Sequence, residues 1–345
     1  MKYNDRYWDE VGEVIDCIPN IEKLYGKSVL ITGATGMICS AVVDVIAYLN
    51  KEEGAGIRLI LAGRSEERMA KRFRDAEVEY TFVSYDATKP AEFDIRADYI
   101  IHGASNANPA LYGKAPVETL LGNVIGVESM LQVARKNEGC RFLYISSSEV
   151  YGAKGQDTEP YGEQDYGTVD ILNFRACYPS GKRAAETLCA CYRQEYGVDF
   201  VTIRPGHIYG PSITAADTRA SAAFTRDVLA GHDIVMKSAG AQLRSYCYTL
   251  DCATAILAVL TSGTSGEAYN ISSPECVISI RDLAEKLAEA GGVKVVFESP
   301  SDQERKSYNL MSNSSLKGEK LMALGWKAKY DPERGLRATL AYSGE

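Results

Sequence analysis

The sequence predicts an α/β protein built on a doubly wound parallel sheet, followed by a smaller α/β C-terminal lobe. Three observations predict it. Residues 27–49 run as a short apolar strand, a glycine turn and an apolar-rich helix in immediate succession. Strand-like and helix-like stretches then alternate down to about residue 203. Finally, Tyr178 and Lys182 stand four residues apart where an amphipathic helix begins, a spacing that puts phenol and ammonium on one helix face.

The chain as a whole bounds the answer. Its 345 residues are 46% hydrophobic and 24% charged, enough for one large domain or two unequal lobes. Net charge is −8 and no Lys/Arg run exceeds two residues, so neither a nucleic acid nor an anionic membrane is an expected partner. The nine cysteines form no C-x-x-C pair and the three histidines show no ligand spacing, so no metal site and no disulfide framework are expected. Reduced thiols and the lack of a signal-like apolar run suggest a cytoplasmic protein. Residues 1–26 read as a helical extension, with Trp8, Val11, Val14, Ile15, Ile18 and Ile21 at roughly helical intervals. Residues 27–203 read as a dinucleotide-binding domain, and 204–345 mainly as a substrate lobe interleaved with the last strands of the sheet.

Lys27 to Thr32 forms the first strand, and Gly33-Ala-Thr35-Gly36-Met37-Ile38-Cys39 the turn into a helix. Gly33 permits the tight turn, Gly36 lets the backbone approach phosphates, and the helix N–H groups point at the anion. Gly33, Thr35, Gly36, Met37 and Ile38 are therefore candidate cofactor contacts. The third position of the T-G-x-x-G-x-x-G pattern is Cys39, so a side chain must fit where helix and strand pack closely. Arg58 to Arg64 reads as the second strand. An acidic residue commonly ends it to hold a ribose 2′-hydroxyl; Gly63-Arg64 stand there, which leaves NAD and NADP both open. Arg64 is placed to pair with a 2′-phosphate, to lie on the adenine or to cap the turn.

Tyr80 to Ala87 gives the third strand, with Asp86 and Ala87 at its end and Asp86 placed to accept from an adenine amino group. Tyr99 to Ser105 gives the fourth, ending in Ala104 and other small residues that allow close approach. A helix over about 117–136 carries Asn123. The fifth strand, Arg141–Ile145, runs into Ser146-Ser147-Ser148-Glu149-Val-Tyr-Gly152. Ser147 can supply a hydroxyl donor to an alcohol oxygen while Tyr178, favoured as phenolate by Lys182, removes the proton.

These motifs in this order resemble the extended short-chain dehydrogenase/reductase family, NAD-dependent epimerases and dehydratases with a Rossmann core. The resemblance covers most of residues 27–330. Further marks are Arg204-Pro205-Gly-His207-Ile-Tyr-Gly-Pro211, Arg244 to Asp251 and Ala268 to Ile271. It implies a nucleotide-sugar substrate, expected to be UDP-linked. Tyr178 would deprotonate the sugar C4 hydroxyl as hydride passes to the nicotinamide, Ser147 would polarise the oxygen, and Lys182 would hold the ribose and lower the Tyr178 pKa. It also adds Asn123, Pro205, Tyr178 and Lys182 to the cofactor contacts and makes NAD the expected cofactor, NADP not being excluded.

Sugar 4,6-dehydratases usually show Asp-Glu after the catalytic hydroxyl; Ser148-Glu149 stand here instead. That run, with Arg175-Ala-Cys-Tyr178 and its continuation to Thr187, looks like the UDP-glucuronate decarboxylases. The alternatives are a 4-epimerase, a 4,6-dehydratase or a 4-keto reductase. Ser148, His207, Arg219 and Arg244 are the candidate substrate contacts, His207 replacing the family's usual asparagine. Glu149 is a candidate base or water-orienting group. Apolar helices near 117–133 and 184–196 suggest a homodimer through a four-helix bundle; burial within one chain is the alternative.

Overall fold

In the first strand, β1 (Ser28–Thr32), every residue is buried, because both faces of this strand are covered. The computed structural model describes residues 1–91, 93–155, 159–299 and 312–344. An N-terminal helix α1 (Asp5–Glu13) precedes β1. After it come α2 (Met37–Glu52), β2 (Arg58–Gly63), α3 (Glu66–Phe73), β3 (Thr81–Ser84) and β4 (Tyr99–His102). Next are α4 (Pro109–Lys114), α5 (Pro116–Lys136), β5 (Arg141–Ile145), α6 (Cys177–Tyr196) and β6 (Asp199–Pro205).

These strands and β10, which comes later in the chain, form one seven-stranded sheet in the order β10-β6-β5-β4-β1-β2-β3. All of its pairings are parallel. From β1 the chain steps outward to β2 and β3, then returns to place β4 on the other side of β1. This reversal leaves a crevice at the carboxyl ends of β1 and β4, where doubly wound sheets bind ligands. Alternation along the strands builds two cores. Val29, Ile31, Ile101, Leu143, Val201 and Ile203 point into one, and Leu30, Ile100, Phe142 and Phe200 into the other. Helices α5 and α6 cover the second face.

The remainder is β7 (His207–Tyr209), α7 (Ala220–Leu229), β8 (Ile234–Met236), β9 (Leu243–Tyr248), α8 (Thr249–Ser262), β10 (Ala268–Ile271), β11 (Val277–Ser279), α9 (Ile280–Gly291) and β12 (Val295–Phe297). Short helices at Glu319–Met322 and Pro332–Tyr342 follow. β7, β9 and β11 make a small sheet beside the crevice, and β8 pairs with β12. Meanwhile α8 packs on α2, and β10 extends the main sheet beyond β6. Residues after 204 thus serve both layers. Ser279 starts α9 as a capping box with Asp282. No helix among the described residues is long and apolar enough to cross a membrane.

The N-terminal extension packs on the body. Asn4 caps α1, whose one face buries Tyr7, Glu10 and Val11. The Tyr3 and Tyr7 hydroxyls donate to the buried Asp44 of α2 at 2.8 and 2.7 Å. Glu10 accepts from Tyr330 and Tyr342 of the C-terminal segment at 2.9 and 2.8 Å. After α1 the chain breaks into two 3-10 turns, Ile15–Cys17 and Ile21–Leu24. The expected helical extension is therefore helical for its first half only; Pro19, and Asn20 with φ +55°, interrupt it.

Cys39 fits where a glycine was expected because Gly103 faces it. A Cβ on Gly103 would lie 2.4 Å from Cys39 Sγ, 3.1 Å from Ile145 Cδ1 and 3.3 Å from the Thr32 carbonyl. Gly103→Ala is expected to destabilise the fold by about 1–3 kcal/mol through overpacking. Adding Cys39→Ala should restore part of that loss, a positive coupling measurable by denaturant unfolding of the four proteins of the cycle.

Candidate active site

The carboxyl ends of β1 and β4 approach so closely that side chains are excluded between them. Gly33 has φ +73°, and a Cβ there would stand 2.8 Å from the Gly103 carbonyl group and 2.9 Å from the Ala104 nitrogen. Thr32 Oγ1 fixes the exit of β4: it meets His102 Nδ1 at 3.0 Å and accepts from the Gly103 and Ala104 N–H groups at 3.2 and 3.1 Å. Gly36 caps α2 without a side chain, so the first N–H groups of that helix stay available to an anion.

A groove of about 230 Å³ opens over this turn. It is lined by Gly33, Thr35, Gly36, Arg64, Asp86, Ala87 and Ala104, all expected cofactor contacts. The uncapped first turn of α2 opens beside this groove, so the turn fits a pyrophosphate. Asp86 Oδ1 accepts from the Thr88 N–H and hydroxyl at 3.0 and 2.8 Å, which hold its carboxyl below the usual range. Arg64 is exposed at the rim. Six expected contacts lie outside that lining: Met37, Ile38, Asn123, Tyr178, Lys182 and Pro205. Asn123 is buried behind the wall, accepting from Ser105 Oγ at 3.0 Å, and Pro205 is buried at the end of β6. Met37 and Ile38 form the first turn of α2, with Met37 Sδ 3.8 Å from Arg219 Nη2.

Tyr178 and Lys182 lie in the first turns of α6, only 5% and 3% exposed. The Lys182 ammonium donates to the Ile145 carbonyl at 2.8 Å and stands 5.6 Å from the centroid of the Tyr178 ring. Burial pushes Lys182 down to about 7, opposed by Glu186 and Cys39. Burial also pushes the Tyr178 phenol up, the Glu149 charge adds to this, and the Ser147 hydrogen bond and the Arg219 charge oppose it. The expected lowering of the phenol by Lys182 is thus not what this geometry gives. The ammonium is turned to a backbone carbonyl, and the groups favouring phenolate are Ser147 and Arg219.

Ser147 leads into the 3-10 turn Ser148–Tyr151, and its Oγ also accepts from the Glu149 N–H at 3.2 Å. Glu149 has surface open to the cleft, yet the surrounding protein pushes its carboxyl up, with the Arg175 charge opposing. Arg183, on α6, donates to the carbonyls of Val150, Tyr151 and Gly167 at 2.6, 3.0 and 2.8 Å and locks the loop that carries Glu149.

Apart from Ser148, in the turn after β5, the substrate candidates lie on β7, β9 and the loop before α7. Arg219 forks onto Asp217, with Nη2 at 2.6 Å, and donates to the Ile208 carbonyl at 3.1 Å. Arg244 is buried and donates to the Leu243 carbonyl at 2.7 Å. His207 packs against Tyr246, with ring centroids 5.5 Å apart. Burial, then Arg244 and Arg219, push His207 down to about 3, so the imidazole is neutral; its buried Nδ1 has no partner among the described residues.

The sequence reading missed Tyr112. Its ring stacks on that of Tyr178, with centroids 5.0 Å apart and planes at 14°. No periodicity or motif marks it, because α4 is a six-residue element after an irregular loop. Arg175, in the run that leads to Tyr178, is the cation whose charge bears on Glu149.

The sequence profile of the NAD dependent epimerase/dehydratase family matches residues 29–272. UDP-glucuronic acid decarboxylase 1 of Xenopus tropicalis is 30% identical over 319 residues, 92% of this chain and 72% of that protein. UDP-glucuronic acid decarboxylase 3 of Arabidopsis thaliana is 30% identical over 326 residues, 93% of this chain and 88% of that protein. The fold is similar to that of the dTDP-glucose 4,6-dehydratase of Streptomyces venezuelae solved with NAD, at a TM-score of 0.76 and 23% identity, covering 91% of this chain and 96% of that one. With the match running from β1 through β10, the chain belongs to the NAD dependent epimerase/dehydratase family.

Proposed function

We propose that the protein decarboxylates a UDP-linked hexuronic acid, UDP-glucuronate being the first candidate, through transient oxidation at C4. The observation that carries this is the Ser147-Ser148-Glu149 turn at the Tyr178 phenol, with Ser148 where a dehydratase would need its acid. The decarboxylase relatives support it by identity over more than nine-tenths of the chain.

NAD in the groove supplies reversible hydride acceptance. Tyr178 takes the C4 hydroxyl proton, and Ser147 donates to the same oxygen. Once C4 is a ketone, the C6 carboxylate is β to it. The C5–C6 bonding electrons can then pass into the carbonyl, and carbon dioxide leaves without a strong base. Glu149, its carboxyl pushed up by its surroundings, is the group at hand to exchange a proton with the sugar. Arg244 and Arg219 offer guanidinium groups to a carboxylate or diphosphate.

The same reading takes the protein as a cytoplasmic lyase that works as a homodimer. Val117, Leu120 and Leu121 on α5 are 62%, 38% and 41% exposed, which supports a second copy packing there through a four-helix bundle.

Incubation with NAD and carboxyl-labelled UDP-glucuronate should release labelled carbon dioxide; an isomer of unchanged mass, with no release, would make the protein an epimerase. Tyr178→Phe should lower the release rate by roughly 10²–10⁴-fold.

The phenol is held above its usual range, so wild-type kcat should climb with pH through neutrality. Ser147→Ala, losing a bond that favours phenolate, should move the rising limb to higher pH, and Glu149→Gln, losing an opposing charge, to lower pH.

Leu121→Glu should shift light-scattering mass from dimer to monomer while the fold persists.

A further inference from the structure

Glu186 stands one helical turn beyond Lys182 on α6, and the chemistry above does not use it. Its carboxylate is heavily engaged. Oε1 accepts from Ser146 Oγ at 2.5 Å and from Arg204 Nε at 3.0 Å, and Oε2 accepts from Arg204 Nη2 at 2.6 Å. Arg204, 7% exposed, continues to the Tyr151 hydroxyl at 3.0 Å, and Tyr151 donates to Asn270 Oδ1 at 2.5 Å. One carboxylate therefore joins α6 to the ends of β5, β6 and β10.

Lys182 and Glu186 hold successive residues at the end of β5: Lys182 bonds the Ile145 carbonyl, and Glu186 bonds the Ser146 hydroxyl. Two struts from one helix face to one strand end leave that end little freedom. Ser147 comes next in the chain, and Tyr178 lies one turn earlier on the same helix. Their mutual position is what the struts set.

The groups facing the Lys182 ammonium are few. Glu186 faces it from α6, Cys39 from α2, His102 from β4, Tyr144 from β5 and Tyr178 from its own helix. Burial keeps the Cys39 thiol and the Tyr144 phenol protonated and pushes His102 down to about 3. Glu186 is the carboxylate of the set.

We propose that Glu186 is a positioning residue: it braces the end of β5 against α6, so that Ser147 meets Tyr178, and it supplies the counter-charge of the buried Lys182 ammonium. This rests on the Tyr178–Lys182 reading above.

The test titrates Lys182 directly, by NMR of the full-length protein carrying [ε-13C]lysine, with the resonance assigned by its loss in Lys182→Met. The titration spans about pH 4 to 9, covering values well below as well as above that of the wild-type lysine. Glu186→Gln should move the titration to lower pH by about one unit or more, and Glu186→Asp should keep it near wild type. An unmoved titration in Glu186→Gln overturns the counter-charge role. Ser146→Ala keeps the carboxylate and should lower kcat for carbon dioxide release by roughly tenfold without moving the titration; an unchanged kcat overturns the brace. Should Glu186→Gln not fold, Arg204→Gln serves in its place. It frees Glu186 from its fork and should move the titration to higher pH, and an unmoved value counts against the proposal. A wild-type protein that releases no carbon dioxide while its Lys182 titration responds to Glu186 refutes the decarboxylase reading alone.

Discussion

Two backbone segments, the exits of β1 and β4, run within van der Waals contact of each other, and the site depends on that approach. Only hydrogen can occupy the space between Gly33 and the Gly103–Ala104 peptide. Thr32 holds the arrangement from beneath through one hydroxyl shared among His102, Gly103 and Ala104. Because the strand order reverses there, the approach also fixes where α2 begins. A helix start aimed into a crevice with no side-chain cap is an anion site by construction. The Cys39 substitution is absorbed in the same place, since the glycine that would have stood on α2 has its counterpart in Gly103 on the facing strand exit.

Desolvation sets the chemistry on the other wall. Tyr178 and Lys182 are both buried, and burial is the largest influence on each, driving both toward the neutral form. Hydrogen bonds and charges then decide how far each group departs from that limit. For the phenol these are Ser147 and Arg219 against Glu149; for the lysine they are Glu186 and Cys39. Tyr112, stacked over Tyr178, thickens the apolar surround and so belongs to the same balance. The groups that bear on these two side chains lie mostly at the end of β5 and along α6. The precision of those two elements matters more than any single charge.

Much of this was legible in the sequence, for identifiable reasons. The strands were readable because both faces of a parallel sheet are covered, so apolar runs such as Val29–Ile31 and Phe142–Ile145 are nearly continuous. The glycine turn was readable because its backbone demands leave few alternatives, and Tyr178 with Lys182 because helical spacing alone puts them on one face. What escaped depends on contacts between distant segments. Tyr112 reaches Tyr178 across 66 positions with no periodic signature. Asp217 beside Arg219 reads as ordinary surface charge until the loop closes into a fork. The acceptor of the Lys182 ammonium is a main-chain carbonyl, which sequence does not display.

The N-terminal extension and the C-terminal segment carry the argument from the site to the whole chain. Asp44 lies on α2, the helix whose N-terminus faces the groove, and it is fully buried. Burial pushes its carboxyl up, while Arg72 and the two tyrosine hydroxyls pull the other way. A buried carboxylate left without such donors is strongly destabilising, so α2 requires the extension that delivers Tyr3 and Tyr7. That extension is in turn fastened through Glu10 to Tyr330 and Tyr342 of the C-terminal segment. Near the crevice, Met37 at the start of α2 meets Arg219 through its sulfur and the Thr249 hydroxyl through its carbonyl. α2 is thus held at its first turn by Arg219 and Thr249 and at mid-length by Tyr3 and Tyr7. One helix therefore connects the glycine turn to Arg219 and Thr249 across the cleft, and its buried Asp44 ties the same helix to the N-terminal extension.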